Sequence, residues 1–189
     1  MPELWLVRHG QTDWNLEGRY QGQADVPLNS AGRAQAQALA SELAGKQFEA
    51  IYSSDLGRAR ETAAILAAPH GLPVQVDPRL REICQGEWEG MAFSEICERY
   101  NVDTDLSQPR SPDFRAPGGE SVQEVADRAS EAIQDIRETH PSGAVLVVSH
   151  AITTAAVACK ARGISLSLVR SNIPKNAEAV RVKWPFSDS

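Results

Sequence analysis

The run Ala144-Val145-Leu146-Val147-Val148 constrains this chain more than any other stretch, because five consecutive apolar residues suit a strand covered on both faces. Strands of that kind belong to parallel sheets held between two layers of helix. Shorter apolar runs at 4–7, 50–52, 74–76 and 179–184 read as further strands. Between them lie helical patterns. Residues 30–44 are rich in Ala and Leu and stop at Gly45, and 55–68 gives way to His70-Gly71-Leu72-Pro73. Ser121-Val122-Gln123-Glu124 is a capping box that opens a helix to about Thr139, and a last helix over 152–162 stops at Gly163. The order β-α-β-α-β-α-α-β-α-β predicts an α/β fold, a three-layer α/β/α sandwich with a mostly parallel central sheet, with residues 1–189 forming a single domain. The long irregular stretch 101–120, which carries Pro109, Pro112, Pro117, Gly118 and Gly119, reads as a lid or specificity loop.

Charge narrows the ligand. A formal net charge of −6, from 19 basic and 25 acidic residues, argues against a nucleic-acid or anionic membrane surface, so any anion must be met by a local cluster. No run reaches the roughly 18 apolar residues of a membrane span, and Met1-Pro2-Glu3 lacks the basic start of an export signal, so a cytoplasmic location is expected. Cys84, Cys97 and Cys159 show no C-x-x-C spacing, which supports neither a disulfide framework nor a zinc knuckle.

Histidine is the side chain best suited to acid, base or nucleophilic work near neutral pH. His70, in the last turn of a predicted helix, and His140, just before Pro141, fit structural or solvated roles. His9 and His150 differ. His9 follows the strand at 4–7 through Arg8, and His150 follows the strand at 144–148 through Ser149. Both therefore stand at carboxyl ends of buried strands, the edge where open α/β sheets bind ligands. With Glu82 they could make a His-His-carboxylate metal set. The neighbouring cations favour another ligand. Arg8 adjoins His9 and Arg58 opens the helix after the second strand. A guanidinium about 4 Å from a divalent ion costs on the order of several kcal/mol even at an effective dielectric near 20. The same guanidinium forks match phosphate oxygens. A phosphate is the expected ligand, with no metal or other cofactor.

Leu6-Val7-Arg8-His9-Gly10-Gln11-Thr12-Asp13-Trp14-Asn15 resembles the signature of the histidine phosphatase superfamily, phosphoglycerate mutase-like branch. Further blocks follow in order: Gly18-Arg19-Tyr20-Gln21-Gly22 with Asp25, then Ser53-Ser54-Asp55-Leu56 with Arg58, then Leu80-Arg81-Glu82. Trp88-Glu89-Gly90, Pro117-Gly118-Gly119-Glu120-Ser121 and Val147-Val148-Ser149-His150 complete the series. The resemblance implies that His9 is the nucleophile, that Arg8, Arg58 and His150 hold the transferring phosphoryl group, and that Glu82 is the proton donor. It also implies that Asn15 belongs to the phosphate pocket and that Gln21 lines the substrate side. Trp14 and Trp88 read as packing, Arg60 and Arg81 as facing away, and Arg19 as either structural or ligand-facing.

The expected activity is hydrolysis of a small-molecule phosphate monoester through phosphohistidine. The alternatives are a mutase-type phosphotransferase and a non-catalytic phosphate-binding protein. The 101–120 stretch carries Arg110 and Arg115 but also Asp103, Asp105, Asp113 and Glu120, which is no evident cradle for a second phosphate, so hydrolysis is favoured over mutase chemistry. Ala151 departs from the glycine usual in the family after the second histidine, which would matter if φ there were positive. The final strand, 179–184, could pair across a homodimer if it lies at a sheet edge.

Overall fold

The computed structural model describes residues 3–101 and 111–183. Five strands form one sheet: β1 (Glu3–Arg8), β2 (Ala50–Ser53), β3 (Val74–Val76), β4 (Ala144–Ser149) and β5 (Ala179–Lys183). Their order is β3-β2-β4-β1-β5; the first four are parallel, and β5 runs antiparallel to β1 at the edge. The helices are α1 (Asp13–Leu16), α2 (Ser30–Leu43), α3 (Gly57–Ala67), α4 (Phe93–Tyr100), α5 (Val122–Thr139) and α6 (Ala151–Arg162). This is the mostly parallel α/β/α sandwich expected from the strand and helix order.

Alternation along the two central strands builds both layers. Leu4 and Leu6 of β1 and Val145 and Val147 of β4 face α5 and α6, where they meet Ala129, Ile133, Ile136 and Val157. Val7, Leu146 and Val148 point the other way, against Leu39 and Leu43 of α2 and Ala63 and Leu66 of α3. Ile51 and Leu146 are fully buried, and truncating such a side chain to alanine costs about 2–5 kcal/mol. The connection leaving β1 thus crosses one face of the sheet and that leaving β4 the other, so the two strand ends open into a common crevice.

Several boundaries differ from those the sequence suggests. The short helix α1 was not expected; Thr12 caps it, with Asn15 reaching back to the Thr12 amide. Helix α3 begins at Gly57 because the Gly57 amide donates to Asp25 Oδ1 at 2.8 Å, while Asp55 pairs with Arg81 instead. Helix α6 starts one residue early, at Ala151. Asn101, at φ 49, ends α4 in the left-handed region. Of the expected lid, 102–110 lies outside the described residues, as does Trp184 of the expected last strand. No helix among the described residues is long and apolar enough to cross a membrane.

Candidate active site

The register of β1 and β4 sets Arg8 beside Ser149, so the chains leave the sheet together. The His9 amide donates to Ser149 O at 2.9 Å, and the His9 and His150 rings lie 5.2 Å apart, centre to centre. Both rings are buried. The turn after His9 needs glycine. A Cβ on Gly10 would collide with the Gly32 carbonyl at the start of α2, and the Gly10 amide instead donates to Thr62 Oγ1 at 3.1 Å.

His9 is held in one tautomer. Its Nδ1 lies 2.7 Å from Gly10 O, an acceptor only, so Nδ1 carries the proton. Nε2 lies 3.3 Å from Arg58 Nε, a donor only, so Nε2 bears the lone pair. A metal ion on Nε2 would take the place of that guanidinium contact. Arg58 is itself fully buried on α3, and its other nitrogens donate to Ala24 O at 2.6 Å and Gly22 O at 2.7 Å. The Gly18–Pro27 block therefore serves the architecture of the site, wrapping Arg58 with carbonyls and, through Asp25, capping the helix that carries it. Arg8 donates from Nη1 to Pro174 O at 2.9 Å, and its Nε has no hydrogen-bond partner among the described residues.

Glu82 lines the same pocket as these cations. Its carboxylate accepts from the amides of Ile83 (3.0 Å), Ile152 (3.2 Å) and Thr153 (3.3 Å), and so caps α6, whose own N-cap residue, His150, supplies no side-chain cap. Arg128 of α5 braces the segment, donating to the carbonyls of Arg79, Arg81 and Glu82 at 2.7–3.0 Å while Glu120 grips its guanidinium. The Pro-Gly-Gly-Glu end of the irregular stretch is thereby fastened to the acid-bearing segment. His150 Nε2 lies 2.8 Å from Ser54 Oγ, and His150 Nδ1 is buried with no partner among the described residues.

A pocket of about 250 Å³ opens over these groups, lined by Arg8, His9, Asn15, Gln21, Arg58 and Glu82. His150 lies fully buried beside them, not on the wall. Asn15 Oδ1 accepts from the Thr12 amide and from Asn176 Nδ2, both at 3.1 Å, and Gln21 Oε1 accepts from Thr12 Oγ1 at 2.9 Å. Thr12 thus orients both amide side chains. Arg19 proves structural in its bonding, spent on Glu17, Glu95 and Gly90 O although it reaches the wall. Trp88 is buried, Trp14 lines the pocket, Arg60 is exposed, and Arg81 pairs with Asp55. Ala151 is not among the positive-φ residues; it sits in the first turn of α6, where alanine is unstrained. Residues 174–177, Arg170 and Gln85 carry no local motif that marks them in the sequence. Asn176 Nδ2 nevertheless donates to His9 O at 3.1 Å, and Gln85 and Arg170 line the wall.

Both histidines have pKa values well below the ordinary 6.5. Burial is the main cause, followed for each by Arg58; Arg8 adds to the effect at His9, where the Gly10 contact opposes it. Each ring stays neutral in the fold while its unfolded counterpart takes up a proton near pH 6.5, so stability falls as pH drops from about 7 until the folded-state pKa is reached. The slope approaches about 1.4 kcal/mol per pH unit for one histidine and about 2.7 for two once the pH is well below 6.5. Urea unfolding at about pH 7 and about pH 5.5 should show it, and His150→Gln should flatten the slope by about half. Equal slopes in the two proteins would show that His150 is not buried as the neutral ring.

The chain matches the family described as the histidine phosphatase superfamily (branch 1) over residues 4–186. It is 38% identical over 169 residues to phosphoserine phosphatase 1 of Hydrogenobacter thermophilus, covering 88% of this chain and 79% of that protein. It is 35% identical over 187 residues to an Escherichia coli O9:H4 protein named "Probable phosphoglycerate mutase GpmB", covering 99% and 87%. Among solved structures, a mycobacterial glucosyl-3-phosphoglycerate phosphatase complexed with VO3 superposes with a TM-score of 0.87 at 33% identity, over 95% of this chain and 90% of that one.

Proposed function

From the chain's membership of the histidine phosphatase superfamily, branch 1, we propose that its phosphatase activity toward small phosphate monoesters runs through a phosphohistidine on His9. The observation that carries this reading is the tautomer: with Gly10 O on Nδ1 and a guanidinium facing Nε2, His9 is neutral and bears its lone pair on Nε2, beside Arg58 in the pocket lining. A phosphate ester is a dianion that repels nucleophiles, so positioning and charge stabilisation carry most of the catalysis. Arg8 and Arg58 supply the charge. In the first step the His9 Nε2–P bond forms as the P–O ester bond breaks, and Glu82 gives its proton to the departing alkoxide. In the second, Glu82 takes a proton from water as the oxygen attacks phosphorus, and phosphate leaves His9 free. His150 Nδ1 and Arg8 Nε, both without partners among the described residues, suit the phosphoryl oxygens, and the Asn15 and Gln21 amides suit the rest of the ester.

The names of relatives point toward phosphorylated hydroxy acids such as phosphoserine and phosphoglycerate as substrates. We take the whole chain as one such domain, with 101–120 as its specificity loop and the cytoplasm as its location. Support for the loop comes from Ser111 and Phe114, which line a small recess of mixed polarity shared with Gln85 and Arg170 of the main pocket. The test is to assay hydrolysis of phosphoserine and 3-phosphoglycerate after exhaustive EDTA treatment, with and without vanadate, which mimics five-coordinate phosphorus. Activity should survive the chelator and be blocked by vanadate. Loss with EDTA and recovery with zinc or manganese would turn His9, His150 and Glu82 into metal ligands. Isomerisation of 3-phosphoglycerate outpacing its hydrolysis would favour the mutase.

A further inference from the structure

Four arginines line the pocket, and three are committed. Arg58 is spent on His9, Ala24 O and Gly22 O; Arg8 is tied to Pro174 O beside His9; Arg19 is spent on Glu17, Glu95 and Gly90 O. Arg170 is the exception. It stands on the turn Leu166–Asn172 after α6, half-buried, and its one hydrogen bond among the described residues runs from Nη1 to the neutral Tyr20 hydroxyl at 3.5 Å, the limit of such a contact. No carboxylate pairs with it among the described residues, although acidic residues outnumber basic ones by 25 to 19 in the chain. A guanidinium partly withdrawn from water and left without an anion is an expensive arrangement unless a ligand completes it.

We infer that Arg170, with the Tyr20 hydroxyl beside it, binds a carboxylate of the substrate, so that the ester is held at both ends: phosphate over His9, carboxylate on Arg170. This rests on the phosphatase reading and adds the feature that selects among esters. A planar fork matches a carboxylate through two parallel N–H···O bonds. A second phosphate suits the place less well, because Arg58 and Arg19 are bonded elsewhere, Arg8 stands over His9 for the first phosphate, and one cation does not balance a dianion. Tyr20 is held in position by its ring, which packs edge-on against buried Trp88 and is stacked with Phe93.

The experiment compares phosphoserine with phosphoethanolamine, the same ester without its carboxylate, using p-nitrophenyl phosphate to establish that the preparation is an active phosphatase. The native protein should prefer phosphoserine in kcat/KM. Arg170→Met should lower that preference about ten- to hundredfold, the range expected for losing a charge-assisted pair, with the loss falling mainly on KM. Arg170→Lys, which keeps the charge but not the fork, should recover part of it, and Arg60→Met, on an exposed arginine outside the pocket, should leave the preference intact. Equal turnover of both esters by the native protein, or equal losses on both in Arg170→Met, would overturn the assignment. So would a preference for bisphosphorylated over carboxylated esters. Failure to hydrolyse any of the three, p-nitrophenyl phosphate included, would instead count against the phosphatase reading.

Discussion

Rapid mixing with substrate and quenching within milliseconds should trap a phosphoryl group on His9 Nε2, in a linkage that survives alkali and is lost in acid. His9→Ala should abolish the label and lower turnover by a factor on the order of 10⁴ or more, as removal of a covalent nucleophile does. The geometry also predicts the isomer. Nδ1 is occupied by Gly10 O at 2.7 Å, so only Nε2 can attack, and a one-dimensional phosphorus spectrum of the trapped protein should show a single phosphohistidine species. Label on another residue, on Nδ1, or on none in an active preparation would remove the mechanism. The expectation draws its force from burial. A solvated histidine would be part-protonated in mild acid, whereas the guanidiniums and the loss of water keep His9 neutral and nucleophilic there.

The second large effect concerns Glu82. A general acid matters in proportion to how badly the leaving group needs a proton, and contributes about 10²–10⁴-fold when it does. Nitrophenolate hardly needs one. Glu82→Gln should therefore slow phosphorylation of His9 by an alkyl phosphate by that range, and by p-nitrophenyl phosphate far less, in single-turnover measurements. Glutamine is the appropriate replacement because its carbonyl oxygen can still accept from the Ile152 and Thr153 amides. Equal losses with both leaving groups would make Glu82 a residue that only shapes the pocket. Small, equal effects would make it a helix cap and nothing more.

Much of this was legible in the sequence because the carriers of the fold and of the chemistry are local patterns. The apolar run at 144–148 announced a strand covered on both sides, and β4 is central in the sheet with both faces packed. Histidines placed directly after two such strands had to share a sheet edge, and their rings are neighbours. The seven residues singled out for the site, Arg8, His9, Asn15, Gln21, Arg58, Glu82 and His150, converge, although His150 stands beside the wall instead of on it. What could not be read was who holds them. Pro174 and Asn176 follow no motif, yet the one accepts from Arg8 and the other donates to the His9 carbonyl, across 166 and 167 positions of sequence. Arg170 was invisible for the same reason, since an arginine shows its lack of a partner only in three dimensions. The start of α3 was misplaced by two residues because its cap, Asp25, comes from a distant loop and leaves no local signal.

The double duty of the Glu82 carboxylate has a consequence for descent. The same two oxygens that would pass a proton to the leaving group also terminate α6, where a lost cap costs about 1 kcal/mol. A lineage that ceased to need the reaction would still be held to an acceptor at this position by its helix. One that relaxed the helix end would forfeit the proton donor with it. Retention of a carboxylate at 82 in a relative is therefore weak testimony that the relative still turns over.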